Sequence, residues 1–137
     1  MSTTILVAVT DIFFYTKVRD ALRPQGYTLE RIRNQHEEEE KTASASPAAL
    51  ILNMNDLAID AFTALETLQA DPALRSLPIL AFANHEETDT WRRAKELGVT
   101  KIVSRNEFSA RTRELVEDII ANSGQQSPVR SAPNAEG

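Results

Sequence analysis

The chain has 137 residues, 42% of them hydrophobic, with a formal net charge of −5 and no cysteine. This fits one domain with an ordinary core, and it excludes a disulfide framework, a thiol nucleophile and a thiolate metal site. Mixed, mildly acidic charge argues against nucleic acid or an anionic membrane surface as a partner, and no apolar run nears the roughly 18 residues of a membrane span.

Thr4 to Val9 reads as a first buried strand, with Thr10 and Asp11 at its carboxyl end. Phe14, Val18 and Leu22 recur every fourth residue and give one apolar helical face, stopped by Pro24 and Gly26. Tyr27 to Ile32 predicts a second strand. His36 to Ser46 reads as a short, poorly anchored helix. Its run Glu37 to Glu40 is a solvated face rather than a metal site with His36. Leu50 to Asn55 is the central strand, an apolar run buried on both faces that ends abruptly in two asparagines, Asn53 and Asn55.

Ala61, Phe62, Leu65 and Leu68 then predict a third helix, ending before Asp71-Pro72. Leu77 to Ala83 is a fourth strand. Trp91, Ala94 and Leu97 mark a fourth helix, stopped by Gly98, and Val99 to Val103 a fifth strand. Leu115, Val116, Ile119 and Ile120 face inward from a last helix. From Asn122 onward the apolar period is lost, which divides the chain into a domain over 1–121 and a disordered tail or linker over 122–137.

Strands alternating with helices imply an α/β, doubly wound, five-stranded parallel sheet with helices on both faces. Right-handed crossovers favour the flavodoxin-like, CheY-like order 2-1-3-4-5. Ligands of such sheets sit at the carboxyl ends of the strands, which makes Asn53 the mark of the functional edge. No catalytic constellation stands out there. His36 and His85 have no serine or cysteine partner at a telling spacing, and the 4 glycines form no phosphate-cradling loop.

The segment Leu68 to Leu80, the triplet Ile59-Asp60-Ala61, and the pairs Gly26-Tyr27 and Gly98-Val99 fall together in one spacing. That spacing resembles the receiver domains of bacterial response regulators over residues 4–121. In that family an aspartate takes a phosphoryl group from a phosphohistidine. The resemblance places the acceptor on Asn53, the magnesium-binding acidic pair on Val9 and Thr10, the switch threonine on Ala83, the active-site lysine on Arg105 and the switch aromatic on Ile102. All of these positions depart from the family's pattern.

An amide cannot supply the acyl-phosphate oxygen that a carboxylate does, and magnesium wants carboxylates. The chain therefore looks like a degenerate pseudo-receiver, with no enzymatic activity, cofactor or metal. Asp11 and Asp60 read as helix caps. Arg105, facing mostly neutral groups, is expected to reach Asp11, a backbone carbonyl or solvent.

The function implied is a two-component, phosphorelay-type signalling module that acts in the cytoplasm by phosphorylation-independent protein binding. Its partner face would be the fourth helix, fifth strand and last helix, with Trp91, Arg92, Lys95, Lys101, Arg111 and Glu114. A homodimer through that face stays open. Trp91 has two readings, partial core or hot-spot anchor. One alternative is a sensor binding a small anion or nucleotide at Thr10, Asn53, Asn84 and Arg105. Another is a working receiver with relocated acids.

Overall fold

The computed structural model describes residues 3–37, 41 and 47–124. Five strands, β1 (Thr4–Ala8), β2 (Thr28–Arg31), β3 (Ala49–Asn53), β4 (Ile79–Ala83) and β5 (Lys101–Ser104), form one parallel sheet in the order β2-β1-β3-β4-β5. This is the order the sequence predicts. The register sets Val7 beside Ile51, Ile51 beside Leu80, and Ala81 beside Ile102.

Alternation along each strand splits the core into two layers. Leu6, Ala8, Leu50, Leu52, Ala81 and Ile102 point to one side, where α3 (Ala61–Ala70) and α4 (Thr88–Glu96) cover them. Ile5, Val7, Ile51, Leu80, Phe82 and Val103 point to the other, under α1 (Ile12–Leu22) and α6 (Thr112–Gly124). All five residues of β3 are buried, as a central strand with helices on both faces requires. β2 is the half-covered edge, and its residues are exposed or only partly buried.

Local chemistry explains where the helices begin and end. Asp11 caps α1 by accepting from the backbone N–H groups of Phe13 and Phe14, and Asp60 caps α3 by accepting from Thr63 N. Both caps follow the sequence expectation. Gly26 and Gly98 take φ of 95° and 94°, the left-handed region open to glycine, where the chain turns after α1 and after α4.

A helical turn over 35–37 (α2) is described, while most of the expected 36–46 helix lies outside the described residues. The last helix runs to Gly124, so residues 122–124 of the expected tail are helical, and the rest of that tail lies outside the described residues. A short helix, α5 (Arg105–Ala110), stands between β5 and α6 and has no counterpart among the predicted elements. Only Phe108 of α5 is buried, so there is no apolar period to read. Its start is nonetheless written in Ser104-Arg105-Asn106-Glu107, a capping-box spacing in which Ser104 Oγ accepts from Glu107 N.

Candidate functional site

The carboxyl ends of β1, β3 and β5 enclose a cleft of about 330 Å³ lined by Thr10, Asp11, Asn53, Asn55, Asp56, Leu57 and Arg105. Four of these, Thr10, Asp11, Asn53 and Arg105, are positions singled out in the sequence. The other three sequence-derived pocket positions are core residues. Val9 packs in the α1/α6 layer, and Ala83 and Ile102 pack in the α3/α4 layer. Asn84 lies outside the cleft lining and is exposed.

The floor of the cleft is satisfied internally. Asn53 is buried, and its Oδ1 accepts from Asn55 N at 2.9 Å. Thr10 donates both its N–H and its hydroxyl to the carboxylate of Asp56, at 2.8 to 3.0 Å. Ala58 N also donates to Asp56, at 2.9 Å. Asp56 is an acid that sequence reasoning missed, because its partner lies 46 positions away and no local pattern announces it.

Arg105 is not where a simple pairing rule puts it. Among the described residues it donates to neither Asp11 nor a carbonyl. Its guanidinium lies 5.0 Å from the ring centre of Phe14 and 5.4 Å from that of Phe82. Those rings stack with Phe108 in a triad, with centroids 4.6 to 5.5 Å apart. A planar cation over aromatic faces keeps its charge without a counter-ion. Among the described residues, no acceptor takes the guanidinium N–H groups of Arg105.

A second polar cluster adjoins the cleft. Asn55 receives a hydrogen bond from Asn84 N at 3.1 Å and donates through Nδ2 to Glu87 at 2.8 Å. Glu87 also accepts from Asn84 Nδ2 and from the Thr90 hydroxyl, each at 3.3 Å. The hydrogen bonds from Asn55, then Asn84, hold the Glu87 carboxyl below the usual range. This clamp ties the β3–α3 loop to the β4–α4 loop.

Trp91 extends the clamp, its indole N–H donating to Asn84 O at 3.0 Å while its ring packs against the α3/α4 core. It is partly buried. Arg93 adds a further tie, with its guanidinium 4.1 Å from the Phe62 ring and 3.2 Å from Glu66 of α3.

The remaining members of the expected partner face are exposed. Arg92 pairs with Asp89 and Glu96 on its own helix. Arg111 pairs with Glu107 and Glu114. Arg111 and Glu114 border a groove shared with Lys17 and Asp20 of α1, while Lys95 and Lys101 stand on α4 and β5.

At the expected charge run, Arg33 hydrogen-bonds both oxygens of Glu37 and lowers its carboxyl to about 2. Glu38 to Glu40 lie outside the described residues. Among the described residues no three acidic, histidine or cysteine side chains converge as a metal site would need, and no helix is long and apolar enough to cross a membrane.

No family model matches this chain, and no curated protein matches it. Solved structures do. A protein from Chloroflexus aurantiacus described as a response regulator superposes with a TM-score of 0.79 at 21% identity, over 88% of this chain and 99% of its own. The signal receiver domain of a signal transduction histidine kinase from Syntrophus aciditrophicus gives 0.78 at 17%, over 95% and 98%. A response regulator receiver domain from Bermanella marisrubri gives 0.78 at 16%, over 88% and 99%. The chain thus has the receiver-domain fold, and at these identities its chemistry rests on its own residues.

Proposed function

We propose that this receiver-fold chain is a signalling module that binds another protein without being phosphorylated on aspartate. One observation carries the reading. At the end of the central strand stands an amide, Asn53, tied into its own turn, and the neighbouring Thr10 is held by Asp56 rather than offering a carboxylate to a cation. Phosphoryl transfer depends chiefly on a metal and on placed charge, and here Asn53 carries no carboxylate and the Asp56 carboxylate is already taken up by Thr10 and Ala58.

The test is intact-mass spectrometry after incubation with acetyl phosphate and magnesium. The mass should stay unchanged. A labile gain of one phosphoryl group, mapped to Asp56 or Asp11, would instead show a receiver with relocated acids.

A second reading has one observation in its favour, the uncommitted N–H groups of Arg105 beside a cleft of about 330 Å³. They could hold a small anion or the phosphate of a nucleotide. The Asp11 and Asp56 carboxylates in the same cleft weigh against a multiply charged anion. A thermal-shift titration with inorganic phosphate and with nucleotides decides it, and a rise in melting temperature that Arg105→Met removes would favour this reading.

A further inference from the structure

We propose that the mouth of this cleft docks an acidic, apolar segment of a partner protein, with a carboxylate on Arg105 and large apolar side chains on Phe13 and Leu57. Three large apolar side chains stand exposed among the described residues: Ile12 at 49%, Phe13 at 82% and Leu57 completely. They share one edge of the molecule. Leu57 lines the cleft, and Ile12 and Phe13 follow directly on Asp11, which lines it too. Single exposed apolar residues are commonplace, but a group of them beside a concavity marks an interaction surface.

Charge selects the occupant. Arg105 is half-buried against two rings and, among the described residues, has neither a hydrogen-bond acceptor nor an ion-pair partner. A guanidinium so placed favours a carboxylate, which it can grip with two parallel hydrogen bonds. Lys17, one helical turn beyond Phe13, donates to Ser109 Oγ and has no acid in an ion pair either.

The two acids in the cleft repel less than their number suggests. Asp56 accepts from Thr10 and Ala58, and Asp11 from Phe13 N and Phe14 N. The cleft has room for the head of one side chain, not for a folded element. The partner therefore reaches in with one carboxylate and lays its apolar neighbours on the rim.

This inference rests on the protein-binding reading above, and the two fail separately, since phosphoryl gain is measured without any peptide. The experiment displays random 12-residue peptides to the full chain and measures the affinity of the best selected peptide by titration calorimetry. Selected peptides should carry Asp or Glu beside Leu, Phe or Met. Affinity should fall at least tenfold with Arg105→Met, with Phe13→Ser combined with Leu57→Ser, and when the peptide's own acid is changed to the amide. That last change carries the test even if a protein variant fails to fold. The proposal is overturned if no acidic peptide is selected or if affinity is indifferent to these changes. A dimer by sedimentation that Phe13→Ser abolishes would assign the patch to a second copy and overturn it equally.

Discussion

The carboxyl edge of the sheet has two halves of opposite character. On the β3–β4 side, Asn55, Asn84, Glu87 and Thr90 spend their polar groups on one another, and Trp91 and Arg93 fasten α4 to the loop and to α3. Around the cleft, Arg105 rests on rings and, among the described residues, makes no hydrogen bond or ion pair, and Phe13 and Leu57 face solvent. Polar groups that satisfy one another hold loops in one arrangement, while groups left without partners are what a ligand recognises. The difference teaches that one half is locked and the other is free to bind.

The sharpest way to break the comparison is from beneath the open half. Phe82 is fully buried, and its ring stacks with Phe108, meets Phe14 at a tilt and lies under Arg105. Phe82→Ala should cost about 3–5 kcal/mol by the usual range for such truncations, a large share of a total of roughly 5–15. Chemical denaturation measures it. A loss below about 1 kcal/mol would mean that the triad does not support Arg105.

Much of this was legible in the sequence, for physical reasons that differ by element. The inner strands are short apolar runs buried on both faces, so Ile5 to Ala8 and Leu50 to Leu52 declare themselves, while the layer each side chain joins needs the folded sheet. Asp11 and Asp60 declare their caps because a cap is local, acting two or three residues away. The roles of Asp56 and Glu87 are not local. Their partners stand 46 and 32 positions off, and only the folded sheet brings them near. The setting of Arg105 is non-local too. Pairing rules count charges, and its neighbours are rings contributed by α1 and β4. Helix α5 was missed although its capping box was in plain view.

A smaller effect is expected from opening the locked half. Asn55→Ala removes two hydrogen bonds, the one accepted from Asn84 N and the one donated to Glu87, and a neutral bond such as the first contributes about 0.5–1.5 kcal/mol. The larger signature should be dynamic, with new millisecond exchange in residues 84–97 by NMR. An unchanged α4 would show that Trp91 and Arg93 suffice without the clamp.

Acid probes the same clamp. The Glu87 carboxyl sits below its ordinary value because Asn55 and Asn84 hydrogen-bond the charged form. A lowered carboxyl pKa adds stability that is fully present above the ordinary glutamate value of about 4.3 and is lost as pH falls through the folded value. Amide shifts of Asn84 and Trp91 should therefore hold steady from about pH 7 to 5 and move only below the ordinary glutamate range. Movement centred near pH 6 would contradict the assignment.

The smallest effect on stability belongs to the open rim. Phe13→Ser changes an exposed side chain and should shift the denaturation midpoint by less than about 0.5 kcal/mol. A large loss would place Phe13 in a packing role and remove it from the docking surface.

The central claim is that α4 and β5 are held in one conformation without any phosphoryl group. Relaxation-dispersion NMR across residues 83–105, with and without magnesium and acetyl phosphate, tests it most directly. Flat profiles in both conditions are predicted, because Ala83 offers no hydroxyl to follow a phosphate and Ile102 is buried in the α3/α4 layer. Millisecond exchange shared by Ala83, Trp91 and Ile102, shifted by acetyl phosphate, would contradict it.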